Sequence, residues 1–387
     1  MSGKMSYYKN FAIIYILIFA NFTSNAHGQG KSLKEIYEAG KIRFIPEFTI
    51  DETFLPEDTF FESAFNIKCD KDGCVYVCDY RAHNIKIFDS SGKFIKTIGR
   101  EGQGPGEFNR PYDIAITDER LIVWNMGNRR LDALNKDGEL IKSASISIYE
   151  GWPQMMRVLP NGDVVIASER ISLGQPDKPQ DYFIDIYSPD LEKKKRFYTQ
   201  QIWRNKYVKK GDRAINVPLP FSPRVYWDVS PTGEIVIGYS KAYEIEIYGI
   251  DGEKISSFSH TYTAEKITNE DKKKFFASIG SFSGGEMKQG ADDFIVKNTE
   301  FPKIKPAFQQ IKMDSEGNVL VMGYRKNRAE EARYFDAFDI QGNFLGNVQI
   351  LSKMGFPYYS VIRNRTFWLP KTDEEGLIKI IKYRISE

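Results

Sequence analysis

From Ile67 to Gly99 the chain reads IKCDKDGCVYVCDYRAHNIKIFDSSGKFIKTIG. An apolar run meets a turn with Asp-Gly; a second run, a polar gap, a third run, another glycine turn and a last short run follow. Runs of four to eight β-branched and aromatic residues bounded by Gly-polar clusters read as short strands. The pattern returns in degraded form about five more times, at intervals of roughly 40 to 60 residues, the period of blades or solenoid repeats. Each copy predicts one antiparallel sheet of four strands.

Two turns align the copies. The first is Asp72-Gly73, Asn161-Gly162, Thr232-Gly233 and Glu316-Gly317, with Asp118-Glu119-Arg120 and Arg363-Asn364-Arg365 standing in the same place without glycine. The second is Ser91-Gly92, Asp137-Gly138, Asp251-Gly252 and Gln341-Gly342, replaced by Ser188-Pro189-Asp190 in the third copy. Gly and Asn accept positive φ at little cost, so such turns join antiparallel strands. The sixth copy ends at IIKYRIS, one strand short.

Lys41 to Ile50, KIRFIPEFTI, is a strand-like run that belongs to no copy. If it supplies the missing outer strand, the ring closes and leaves no open edge. The expected fold is therefore all-β, a six-bladed β-propeller closed by an N-terminal strand. Its blades are expected near 62–99, 111–147, 153–199, 223–260, 305–350 and 356–386, plus 41–50, in one domain from residue 29 to 387. Five blades with a separate C-terminal hairpin is the alternative. A content of 41% hydrophobic and 14% aromatic residues with many Gly-polar turns suits this all-β class.

The first 28 residues read differently. Lys4 and Lys9 precede an apolar core, Phe11 to Ala20, and Ser24-Asn25-Ala26 offers small residues for cleavage, the grammar of a secretory signal peptide. A short uncleaved anchor is the alternative. Cleavage would take away two lysines and no acid, so the formal +2 becomes neutral. Such a chain has no net charge drawing it to nucleic acid or to an anionic membrane. No cysteine follows the apolar core before Cys69, so a lipid anchor is not expected. The expectation is a periplasmic or secreted monomer, soluble after cleavage.

All three cysteines, Cys69, Cys74 and Cys78, fall in the first hairpin. Cys69 and Cys74 flank the four-residue turn DKDG and are candidates for a disulfide in an oxidising compartment. Buried core thiols are the competing reading; the spacing matches no structural zinc pattern.

Gly99 to Pro111, GREGQGPGEFNRP, joins the first two copies, with Phe108 and Pro111 expected to pack this loop down. No Walker lysine follows and no helix begins there, so a phosphate cradle is disfavoured. The stretch GQGPGEFNRPYDIAI resembles the signature of NHL-type repeats, and the overall pattern resembles the six-bladed β-propeller family of exported bacterial proteins. RNA recognition, which that resemblance implies for some NHL propellers, conflicts with a signal peptide and a neutral charge.

Two insertions interrupt the repeats. Tyr262 to Pro306 begins with Thr268 to Asp271, which can cap a helix through KKKFFASIG ended by Gly280, and continues as a Gly-polar loop, SFSGGEMKQGADDF. Thr199 to Pro223 carries Trp203, Lys209, Lys210 and Arg213. Both precede an inner strand, which places them on one face of the disk, where long loops on a rigid ring build binding surfaces. Within the channel, one inner-strand register reads Asn66, Asp113, Met155, Tyr226 and Gln310, with Asp228 beyond it. This mixed set can hydrogen-bond a polar ligand or line a water-filled hole. Of the five tryptophans, Trp124, Trp227 and Trp368 are expected as wedges between blades, and Trp152 and Trp203 as exposed loop residues suited to sugars.

Resemblance to amidating lyases with NHL-like propellers would imply a zinc site of several histidines, but His83 and His260 alone remain beyond the leader. A calcium-dependent lactonase-like site would draw on Asn66, Glu62, Asp113 and Asp228. No Gly-X-Ser-X-Gly elbow is present. The function expected is an exported binding or scaffold module for a protein, peptide or glycan, with Asn66, Asp113, Tyr226, Asp228 and Gln310 as channel candidates and Trp152, Trp203, Lys209 and Arg213 as loop candidates. No cofactor is expected and no catalysis. The alternative is a calcium-dependent hydrolase or lyase centred on the channel, with Ca2+ as its metal.

Overall fold

Short β-branched runs set between Asp- or Asn-led turns form the strands. Asp70, Asp89, Asn135, Asp314, Asp339 and Asp373 each accept backbone N–H groups two and four residues on, closing a tight turn with their own carboxyl or amide oxygen. Where the third copy lacks glycine, Leu191 takes the left-handed position at φ 61°, and in the sixth Asn364 and Arg365 do so at 47° and 59°. The structure, a computed structural model, describes residues 31–57, 59–170, 178–283, 286–327, 332–351 and 361–387. The proposed leader, 1–28, lies outside the described residues, as does most of the run before Arg363 expected to form the inner strand of the sixth blade.

Four blades are separate four-stranded antiparallel sheets in simple sequence order. Their inner strands are Ala64–Cys69, Pro111–Ile116, Trp152–Val158 and Val225–Val229; that of blade five is Gln310–Met313. The ring closes as the repeat deficit predicts. Lys41–Ile50 pairs antiparallel with Ile378–Ser386 as the outer strand of blade six, while Lys41 and Ile42 pair in parallel with Gln349 and Ile350 of blade five. Ile42 and Ile50 are fully buried, each worth about 1.5–3 kcal/mol in apolar transfer.

The core is divided among the seams. Among the described residues six apolar clusters form, one at each blade interface. At the closing seam Ile50, Trp368 and Ile380 pack against Ile67, Val75 and Phe88 of blade one. A short helix that the repeat pattern does not reveal, Leu33–Glu38, starts in a Ser32/Glu35 capping box and buries Leu33, Ile36 and Tyr37 beside blades five and six. The glycine-rich loop is structural. The Phe108 ring fills the space where a Cβ on Gly99 would lie, and Arg130 donates to the carbonyls of Gln103, Gly104 and Glu107.

The insertions are more ordered than their composition suggests. The first holds a hairpin, Asn205–Lys210 and Arg213–Pro218, and the outer strand of blade three runs on to Ile202. The second contains the expected helix, Asn269–Ser278, capped by Thr268 and Asp271. Its remainder is not a plain loop but a small hairpin, Gly280–Ser283 with Glu286–Gln289, and a helix, Asp293–Asn298, capped by Asp292.

Candidate functional site

A strand pointing its side chains alternately to two faces puts every second residue of the inner strands toward the channel. Lys68, Arg157, Asp228 and Lys312 occupy equivalent positions on blades one, three, four and five. In blade two that position is Ala115, and Asp113, two residues earlier on the same face, supplies the charge. The Lys68 ammonium lies 3.1 Å from Asp113 and donates to the Met156 carbonyl at 3.1 Å. Arg157 donates to Asp228 at 2.6 Å, and Lys312 stands 3.7 Å from the same carboxylate. Backbone N–H groups complete both acids, Met156 donating to Asp113 and Met313 to Asp228.

All five side chains are buried. Among the described residues of this desolvated ring three basic side chains face two carboxylates. Burial pushes Lys312 down to about 7 and Lys68 to about 8, with Asp228 and Asp113 pulling the other way. Burial acts to raise Asp228, but Lys312 and Arg157 outweigh it and hold that carboxyl below its ordinary value.

This ring bears on the calcium reading. Both oxygens of Asp113 and of Asp228 are already engaged, by side-chain cations or by backbone donors. Glu62 is exposed. Among the described residues no group of three or more His, Cys, Asp or Glu side chains is placed to hold a metal ion. The donor set does not fit calcium, because ammonium and guanidinium groups stand where the ion would. The histidines have ordinary structural contacts: His83 Nδ1 accepts from the Arg110 N–H at 3.0 Å, and His260 stacks on Phe344.

Above the ring, toward the insertions, the channel candidates separate. Asn66 is fully buried and donates to the Tyr112 carbonyl at 2.5 Å, while its Oδ1 has no hydrogen-bond partner among the described residues. Met155 belongs to the apolar core. Gln310 is buried and Tyr226 partly buried beside Phe308. Tyr226 also marks the edge of a second cluster that the repeat alignment could not reveal, since its members come from different segments.

That cluster forms where the two insertions meet. Phe221, left-handed at φ 53°, lies 6.5 Å from the Phe301 ring and 6.1 Å from Tyr324. The Lys305 ammonium sits over both Phe221 and Tyr324, held by Asp271 at 3.0 Å and Glu265 at 3.6 Å. Next to Phe221, the buried Ser222 Oγ has no hydrogen-bond partner among the described residues. Burial pushes Tyr324 up to about 12 and raises Tyr226 and Tyr239, with the Arg224 guanidinium opposing each shift. Arg204 also acts on Tyr226 and is ion-paired with Glu169. Lys206 pairs with Glu300, joining the two insertions.

The loop candidates divide. Trp203 is exposed between the blade-three strand and the hairpin, and Lys209 and Arg213 are exposed on the hairpin itself. Trp152 does not sit in a loop: it opens the inner strand of blade three and packs edge-on against Trp124, ring centroids 5.1 Å apart.

The disulfide expectation also needs correction. All three cysteines are free thiols. The strand register pairs Cys69 with Val75, so Cys74, the next residue along, points to the opposite face of the sheet. Cys69 packs at the seam with blade six and Cys74 at the seam with blade two.

Closed blades, six seams and a charge-filled channel define a six-bladed β-propeller. Residues 34–141 match the model of a family described as a 6-bladed beta-propeller. Among solved structures, a Bacteroides fragilis protein described as exported is similar at 12% identity, over 89% of this chain and 95% of that one, with a TM-score of 0.49. A DUF4221-family member from Bacteroides vulgatus matches at 12% identity over 90% and 99%, also with a TM-score of 0.49. Virginiamycin B lyase from Staphylococcus aureus matches at 11% over 89% and 99%, with a TM-score of 0.40. No curated protein matches the chain. Among the described residues no helix is long and apolar enough to cross a membrane.

Proposed function

We propose that the protein is an exported binding module that takes a peptide or glycan at the roofed mouth of its channel, without covalent chemistry. Export rests on the leader-like N-terminus, Lys4 and Lys9 followed by Phe11 to Ala20. The observation that carries the site is the junction of the two insertions at Phe221. Its ring stands beside Phe301 of the second insertion and Tyr324 of blade five, so the two insertions share one aromatic surface there.

Around that point the side chains suit a polar ligand with apolar faces. Tyr226, Tyr324 and Phe221 supply flat surfaces, and Arg224 places a planar cation beside the tyrosines. The acids of the ring beneath are already engaged by its own cations and backbone donors, so the site is assigned to the mouth above it. Recognition is then a matter of shape and hydrogen bonding on a largely preformed surface.

The test is a thermal-shift series on the exported chain with peptide and oligosaccharide panels, with Arg224→Met and Tyr324→Ala as variants. A ligand that raises the melting temperature of the parent protein, and fails to do so for both variants, supports the mouth as the site. A ligand whose effect survives both substitutions places binding elsewhere and overturns the proposal.

A further inference from the structure

The hairpin of the first insertion has two unlike faces. Its register sets Lys206 opposite Val217, Val208 opposite Ile215 and Lys210 opposite Arg213. This row faces the second insertion: Val217 is fully buried, Lys206 pairs with Glu300, and the Lys210 ammonium lies 4.9 Å over the Phe294 ring. The alternate row, Tyr207 opposite Asn216 and Lys209 opposite Ala214, is exposed, with Tyr207 at 41%. Trp203, 42% exposed, stands just before the hairpin. The tip turns through Gly211, left-handed at φ 62°, and Asp212.

Charge is concentrated here. Residues 203–218 carry Arg204, Lys206, Lys209, Lys210 and Arg213 against Asp212 as the lone acid, while the chain from residue 29 onward is formally neutral. Lys209 and Arg213 are exposed and make no ion pair among the described residues. This two-stranded ribbon buries its aliphatic side and turns aromatic, amide and cationic groups outward.

We infer that this outward face is a docking surface for an acidic polysaccharide, a sugar chain bearing carboxylate or sulfate groups. The Trp203 and Tyr207 rings offer flat apolar surfaces to the C–H faces of sugars. The Asn216 amide both donates to and accepts from hydroxyls, and Lys209 meets the acid groups; Arg213 lies in the other row but is exposed at the tip, where it adds a planar fork at the edge of the surface. A lipid surface is the poorer partner, because the aliphatic side chains that would insert, Val208, Ile215 and Val217, point into the protein. The face is separate from the channel mouth, so the inference goes beyond the binding site proposed above and stands or falls independently of it.

The test is affinity electrophoresis of the exported chain in gels holding polygalacturonate, dextran sulfate or neutral dextran, with co-sedimentation on phosphatidylglycerol vesicles and a DNA oligomer as further arms. Retardation by an acidic polysaccharide and not by neutral dextran is expected. Tyr207→Ala/Lys209→Gln should weaken it about tenfold or more, equivalent to ~1.4 kcal/mol. Lys371→Gln, the loss of one exposed charge on blade six, should change it less than about twofold. Arg224→Met and Tyr324→Ala should leave it intact, which separates this face from the mouth. Circular dichroism spectra matching the parent's establish that the double variant is folded; if it is not, Trp203→Ala, in the turn before the hairpin, takes its place. No retardation by either acidic polysaccharide, equal weakening by Lys371→Gln, or binding confined to vesicles or DNA overturns the inference.

Discussion

Arg157 and Asp228, from the inner strands of blades three and four, meet 2.6 Å apart with each side chain 4% exposed. Desolvated ion pairs are costly to break because the survivor is left charged in a poor solvent. Asp228→Asn strands Arg157 and Lys312 together and is expected to destabilise the fold by about 3–5 kcal/mol. Asp190→Asn, at the exposed pair with Arg120, should cost under about 1 kcal/mol. Urea unfolding of both variants checks this; equal midpoints would show that the ring contributes nothing special.

The ring also sets a pH dependence. In the folded state Lys312 titrates near 7 and Lys68 near 8, against an ordinary value of 10.5. Between those values the unfolded chain binds more protons than the folded one, so stability rises with pH from neutrality toward 10. One such proton gives a slope of up to about 1.4 kcal/mol per pH unit. Lys312→Met should flatten the slope between pH 7 and 9. A parent protein whose stability is level or falling across that window would contradict this account.

The cysteines should behave as inert core groups. Burial pushes the Cys69 thiol up to about 12, raises Cys74 and places Cys78 well above its ordinary range, so few thiolates exist at neutral pH to react or to pair. Unreduced protein, denatured and alkylated, is expected to take up three labels by mass spectrometry, and a reductant should not shift the melting temperature. A mass two labels short would establish a disulfide.

The closing strand offers another test. Ile42→Ala and Ile50→Ala each delete a fully buried side chain and should cost about 2–5 kcal/mol. Removing residues 31–50 leaves the edge of Ile378–Ser386 unpaired, and such edges recruit other chains. Size-exclusion chromatography of that truncation should show aggregates where the parent elutes at one discrete size.

The repeat grammar carried the architecture because turn chemistry and strand period are local properties. Even the closing role of Lys41–Ile50 was legible, since a missing strand at one end and a spare one at the other leave a single economical solution. The channel was half legible. Asp113 and Asp228 stood out as acids, but alignment on the earlier register passed over Lys68, Arg157 and Lys312. A charged residue inside a short apolar inner strand was the signal that could have found them. The mouth cluster was not legible at all: Phe221, Phe301, Lys305 and Tyr324 converge only when two insertions fold against each other. Cys69 and Cys74 misled because a hairpin's spacing in sequence does not reveal which face each side chain takes.

The seam between Lys41–Ile50 and Ile378–Ser386 has a consequence for biosynthesis. Among the described strands the outer one of blade six comes first in the sequence and its neighbour last, so the ring cannot seal until Ile378–Ser386 has emerged. Pairing these two strands closes a loop that spans every blade, a slow step compared with folding any one blade. A chain lacking either of the two strands would keep an unsatisfied edge on display. Lys41–Ile50 therefore acts as a latch between distant parts of the sequence, and the Ile378–Ser386 edge is covered only once both have come together.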